Sequence, residues 1–244
     1  MNKKDISVNK TLGILGGLGP MATVYFYELL VTHTSADRDQ DHIDVIISGR
    51  ATTPDRTAFI LGKSSENPLP VMAEELRLLE KAGADIIVMP CNTAHYFYDE
   101  LARRSRVPML DIIHETLSSC AFLGMKTIGL LATEGTISSG SYEKRAEPLG
   151  LKVVVPSEND RAEINEQIYG RIKKNLPPDA DRVRDVSEKL IRSGCDTVVL
   201  GCTELSLLRR DVLSGDRRFT DSMESLARSA IIACGKIPVG FQEN

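Results

Sequence analysis

Cys91 and Cys202 each close a copy of one short pattern. The first copy reads Gly83-Ala84-Asp85-Ile86-Ile87-Val88-Met89-Pro90-Cys91 and runs on into Asn92-Thr93. The second reads Gly194-Cys195-Asp196-Thr197-Val198-Val199-Leu200-Gly201-Cys202 and runs on into Thr203-Glu204. Each sets Gly-x-Asp before an apolar run of strand type, then a small turn, then the thiol. A duplicated fold with one thiol from each half can set the two face to face across a cleft. That arrangement suits taking a proton from one side of a carbon and returning one to the other. A thiolate is a usable base, and its ordinary pKa of about 8.5 falls near cations and helix N-termini. Both turns lead into helices, whose free N–H groups stabilise a thiolate or a carboxylate. Asn92, Thr93 and Thr203 add short polar donors at the same places. Removing a Cα proton without pyridoxal phosphate requires positioned bases and stabilisation of the enediolate charge. The competing reading is two buried structural cysteines on related strands. It suits either site taken singly, and polar residues after both thiols weigh against it.

Substrate carboxylates need cations. The stretch from Ser48 to Pro70 is rich in Pro, Gly, Ser and Thr and carries Arg50 and Arg56. Its length and lack of pattern predict an irregular active-site loop. Arg56 is suited to a bidentate carboxylate clamp, with a solvated surface arginine as the alternative. Lys173, beside Arg171 and Lys174 in a helical pattern, reads from spacing alone as part of a solvated face. Gly16-Gly17-Leu18-Gly19-Pro20-Met21-Ala22 opens a helix and fits the dinucleotide fingerprint loosely. The acidic residue which that fingerprint needs after the second strand is missing, so a small anion or carboxylate is the better ligand here. His95 is placed either to tune Cys91 or to pack, and His114-Glu115 lacks the second histidine of a zinc-protease helix. Cys120, Cys195 and Cys234 read as small buried hydrophobes. No cysteine pair has structural-zinc spacing, and no metal or cofactor is expected.

Apolar runs alternate with amphipathic segments, which predicts βαβ units and parallel sheets covered by helices. Strands are expected at 12–15, 44–47, 86–89, 127–131, 152–155 and 197–200. Helices are expected at 22–32, 70–82, 93–103, 112–123, 141–147, 161–174, 181–193 and 222–233. The repeat extends beyond the cysteines. Lys10-Thr11-Leu12-Gly13-Ile14-Leu15 is echoed by Lys126-Thr127-Ile128-Gly129-Leu130-Leu131, and Asp111 with its following helix by Asp221. The spacings are 116 and 110 residues, against 111 from Cys91 to Cys202. Two pseudo-symmetric α/β lobes follow, one of residues 1–112 plus about 213–244 and one of 113–212, with the site in the cleft between them. Ligands of open parallel sheets bind beyond the carboxyl ends of the strands, where both cysteines stand. With 244 residues, 42% of them hydrophobic, and a net charge of -4, the chain is an ordinary globular protein without the basic footprint of a nucleic-acid binder. The polar first ten residues do not read as a signal peptide, and no apolar run is long enough to cross a bilayer. A cytoplasmic location is expected.

These motifs resemble the pyridoxal-phosphate-independent aspartate racemases of the aspartate/glutamate racemase superfamily. The resemblance rests on Gly13-Ile14-Leu15-Gly16-Gly17-Leu18-Gly19-Pro20, Pro54-Asp55-Arg56-Thr57-Ala58, Pro90-Cys91-Asn92-Thr93-Ala94-His95, Leu130-Leu131-Ala132-Thr133-Glu134-Gly135-Thr136 and Gly201-Cys202-Thr203-Glu204-Leu205. It implies a cofactor-independent racemase of an acidic amino acid, with Cys91 serving the D-enantiomer and Cys202 the L-enantiomer, commonly as a homodimer. It implies further that Arg56 and Lys173 contact the substrate, and that Asn92, Thr93, Ala94, Thr133 and Thr203 line its α-carboxylate and amino-group pocket. The stretch Ser48-Gly49-Arg50-Ala51-Thr52-Thr53 departs from the aspartate-specific pattern by its extra arginine. Glutamate or a wider amino-acid range therefore stands as an alternative, as does a catalytically silent amino-acid-binding protein on the same fold.

Overall fold

The computed structural model describes residues 9–241 apart from 212 and 214. Residues 1–8, and the end of the segment expected at 213–244, lie outside the described residues. The first half of the chain runs β1 (Leu12–Gly16), α1 (Pro20–Thr32), β2 (Val45–Gly49), α2 (Arg56–Ile60), α3 (Leu69–Lys81), β3 (Ile86–Val88), α4 (Tyr98–Arg104) and α5 (Ile112–Phe122). The second runs β4 (Thr127–Leu131), α6 (Glu134–Ser138), α7 (Ser141–Ala146), β5 (Lys152–Val154), α8 (Glu158–Asn165), α9 (Ala180–Arg192), β6 (Thr197–Leu200), α10 (Thr203–Asp211), β7 (Phe219–Asp221) and α11 (Ser222–Ala233).

The strands form two parallel sheets, ordered β2-β1-β3 and β5-β4-β6-β7. A single parallel bridge from Ile87 to Met109 stands in the first sheet where β7 stands in the second. The inner strands β1, β4 and β6 are apolar and buried on both faces, as central parallel strands require, whereas the edge strands β2 and β5 are partly exposed. Leu12 and Ile14 of β1 and Ile128 and Leu130 of β4 share one core with α1, α5, α7 and α11 between the sheets. The alternate residues face outward. Leu15 packs there with α3, and Leu131 with α9.

A Cβ on Gly13 would fall 2.8 Å from the Cβ of Ala84 and 3.4 Å from that of Leu79 in α3, and one on Gly129 would fall 2.9 Å from Cδ1 of Leu190 in α9. The shared glycine thus lets a helix layer lie directly on its sheet. Gly83 and Gly194 have φ of +99° and +100°, a conformation that side chains disfavour. Asp85 accepts the Thr11 N–H at 2.8 Å, and Asp196 accepts those of Lys126 and Thr127 at 2.7 and 2.9 Å. Each Gly-x-Asp therefore fastens its own strand to the start of the neighbouring one. Asp111 and Asp221 cap α5 and α11, each accepting two backbone N–H groups.

Three expectations change. The second sheet does not end at residue 212, because β7 pairs with β6, while residues beyond α11 return to the first half through Val239 N–H to His33 O at 2.8 Å. The 48–70 stretch is not wholly irregular, since Asp55 caps α2 by accepting the Ala58 N–H at 2.7 Å. The helix expected over 161–174 continues past α8 as a π-helical turn at 166–171 and a 3-10 turn at 172–174, ending on Asn175 at φ 57°.

Candidate active site

β3 delivers Cys91, and β6 delivers Cys202. After β3, Pro90 offers no N–H, and the Cys91 N–H turns back to Met89 O at 2.8 Å. The chain then enters a 3-10 turn at Thr93–Phe97. After β6, Gly201 donates to Leu131 O at 2.8 Å, and Cys202 immediately precedes α10. Both thiols are buried, at 6% and 4% exposure. Their turns are bound across the halves. Tyr142 OH donates to Asn92 Oδ1 at 2.7 Å, Asn92 Nδ2 donates to Ser222 Oγ at 2.9 Å, and Ser222 donates to Leu200 O at 2.8 Å. Thr93, Thr133 and Thr136 join their hydroxyls at 2.9–3.0 Å, again bridging the halves.

Between the halves lies a small hollow of about 20 Å³, walled by Cys91, Thr93, Thr133, Arg56, Lys173 and Glu204 among others. Five residues expected from the sequence thus meet. Asn92, Ala94, Thr203 and Cys202 are not on its wall. Asn92 spends its amide on Tyr142 and Ser222, Ala94 is fully buried, and Thr203 is 1% exposed. Cys202 is linked to the hollow through Glu204, whose Oε2 accepts its S–H at 3.1 Å. A second hollow of about 380 Å³ opens beside the first, sharing Asp55, Arg56, Lys173 and Glu204 and reaching the glycine-rich loop.

The cations are placed unequally. Arg56 donates to the carbonyls of Thr53, Pro54 and Leu18 at 2.9–3.1 Å, and its Nε is buried without a hydrogen-bond partner. Those contacts hold its charge at the cleft without neutralising it. Lys173, carried on the 3-10 turn after the π turn, pairs with Glu204 Oε1. Burial pulls the Lys173 ammonium down, but the charges of Glu204 and then Cys202 outweigh it and raise its pKa. Both thiols lie within electrostatic reach of this lysine. Burial, and then the Glu204 charge, push the Cys202 thiol well above its ordinary range, with Lys173 pulling the other way. Cys202 is therefore a thiol at neutral pH in this arrangement.

Glu204 was not among the residues singled out from the sequence, although it directly follows the second Cys-Thr. Only its carboxylate contacts reveal it. His95 proves to be a packing residue. Its Nδ1 lies 2.8 Å from Cys91 O and its Nε2 accepts the Ile112 N–H at 3.1 Å, so Nδ1 carries the proton and the ring is neutral. Burial lowers its pKa, partly opposed by Asp111.

A sequence profile of the Asp/Glu/Hydantoin racemase family matches residues 15–230. The chain belongs to that family. Over 226 residues it is 27% identical to the broad specificity amino-acid racemase RacX of Bacillus subtilis, covering 90% of this chain and 96% of that one. The structure of the Picrophilus torridus aspartate racemase superposes with a TM-score of 0.80 at 31% identity, covering 94% of this chain and 96% of that one. A glutamate racemase of Aquifex pyrophilus is 29% identical over 157 residues, 62% of this chain and 59% of its own. No described helix is long and apolar enough to cross a membrane.

Proposed function

We propose that this racemase-family protein interconverts the enantiomers of an acidic amino acid, aspartate first, using Cys91 and Cys202 as its two bases. The carrying observation is the pair of thiols on equivalent strand ends, both within reach of the Lys173 charge. One thiolate removes the Cα proton, and the opposite thiol supplies a proton to the other face of the planar carbanion. Arg56 and Lys173 neutralise the substrate carboxylates and stabilise the enediolate charge. The hydroxyls of Thr93 and Thr133, on the wall of the hollow, suit an α-carboxylate. The sequence similarity to an aspartate racemase over nearly the whole chain supports aspartate. The full-length similarity to a broad specificity racemase supports a second reading, a wider amino-acid range.

The test is proton NMR of L-aspartate, L-glutamate and L-alanine with purified protein in D2O, paired with circular dichroism of each amino acid. Loss of the aspartate Hα signal with decay of its dichroism establishes racemisation. Equal rates for all three establish the wider range. No exchange on any of them defeats the racemase reading.

A further inference from the structure

Glu204 occupies a position that the proposed reaction does not explain. Its Oε1 holds Lys173 and its Oε2 holds the Cys202 thiol, so it stands between that thiol and the hollow. It also lies against the start of α1, where a Cβ on Gly19 would fall 2.7 Å from Oε1. A helix start beside a lysine is a natural seat for a carboxylate. Here the protein fills that seat with a carboxylate of its own.

We propose that Glu204 is an internal stand-in for the distal carboxylate of the substrate and thereby a specificity-determining residue. In the empty site it holds Lys173. A dicarboxylic amino acid sets its α-carboxylate against the Thr93 and Thr133 hydroxyls and brings a distal one, drawn also by Arg56, that displaces Glu204 from the lysine. A monocarboxylic one has nothing to offer in exchange, so the latch stays engaged. Released from the ammonium, the Glu204 carboxylate becomes a stronger acceptor for the Cys202 proton. As the thiol ionises, the S–H bond breaks, an O–H bond forms at Oε2, and the electron pair stays on sulfur to attack the Cα proton. Binding energy at the distal carboxylate is thus converted into activation of the reacting thiol. The inference rests on the acidic-substrate reading above.

Titration calorimetry of the full chain with succinate and with propionate tests it without turnover. Glu204→Gln is expected to bind succinate about tenfold more tightly, ~1.4 kcal/mol, with propionate changed by less than about twofold. In a Cys91→Ala background, the pH midpoint for alkylation of Cys202 is expected to fall on Glu204→Gln. The charged or titratable groups facing that thiol are Glu204, Lys173, Tyr142 and Tyr169. Glu204→Asp retracts the carboxylate from Lys173 but keeps its charge. It should tighten succinate while leaving the alkylation midpoint high, and it serves as the second variant if Glu204→Gln folds poorly. Succinate binding unchanged or weakened in both variants overturns the latch, and so does propionate tightened as much as succinate. If the unsubstituted enzyme racemises aspartate in that case, the acidic-substrate reading survives alone. No succinate binding by any variant overturns the latch, and if aspartate is not racemised either, both readings fall.

Discussion

The hydrogen-bonded relay behind the thiols supports a quantitative prediction. Tyr142 is fully buried, and its hydroxyl donates to Asn92 Oδ1 at 2.7 Å, while Asn92 itself is 2% exposed. Tyr142→Phe keeps the ring and its packing but leaves a buried amide oxygen without a donor. An orphaned buried polar group costs about 1–3 kcal/mol. For a chain of this size that corresponds to a fall of about 2–12 °C in Tm. Asn92→Leu is nearly isosteric and orphans the tyrosine hydroxyl instead, while Ser222 keeps its bond to Leu200 O at 2.8 Å. The double variant leaves neither group stranded. It should therefore be less destabilised than the sum of the singles, by about 1–2 kcal/mol. Urea unfolding followed by far-UV circular dichroism measures all four corners of the cycle. Strict additivity, or a Tyr142→Phe variant as stable as the parent, would refute the claim that this relay is a dry, fully paired link between the halves.

Other consequences are open to simpler measurement. Cys91→Ala and Cys202→Ala should each lower kcat for racemisation by more than about 100-fold, and full activity in either would end the two-base proposal. His95 is held neutral with its pKa lowered by burial. The unfolded chain therefore binds its proton first, and the stability this histidine contributes is present above about pH 6.5 and lost as pH falls below it, at up to ~1.4 kcal/mol per pH unit. The stability difference between the parent and His95→Gln should shrink on acidification, and parallel pH–stability curves would contradict the assignment. Gly201→Ala would place a Cβ 2.5 Å from Leu130 Cδ1 and 3.2 Å from the Tyr142 hydroxyl. Overpacking of this kind costs about 1–3 kcal/mol, and an unchanged urea midpoint would show that the site has slack.

Most of the sheet was legible because parallel strands buried on both faces leave unbroken apolar runs such as Thr197–Leu200. β7 escaped because Phe219–Asp221 holds a single apolar residue, between Arg218 and the aspartate that caps α11, so no apolar run marks it. α2 and α6 escaped because five residues each are too few to show a helical period. Cys91 and Cys202 were found because their pattern recurs. Lys173 looked solvated because a straight helix was assumed, whereas a π turn precedes it and re-aims the chain. Single π turns are frequent at functional sites and leave no periodicity to read. Glu204 and the Asn92 relay depend on contacts between distant segments, which spacing along the chain does not encode.

The departures from the repeat matter more to the chemistry than the repeat itself. Four residues beyond each cysteine stand His95 and Ser206. His95 receives the first N–H of α5, and Ser206 donates to Asp221 at 2.7 Å beneath α11. Different side chains thus perform one scaffold task, steadying the turn against the capping aspartate. Two residues beyond each cysteine the halves diverge in kind. Thr93 enters a neutral cluster of hydroxyls, whereas Glu204 brings a negative charge, a lysine and a hydrogen bond onto Cys202. A strictly symmetric pair of thiols would share one proton affinity, and neither would be favoured to start as acid. Two-base exchange needs one sulfur protonated while the other is not. The duplicated fold sets the two thiols on equivalent strand ends, and burial together with the Glu204 charge raises the proton affinity of Cys202, which under the two-base proposal makes it the acid of the empty enzyme.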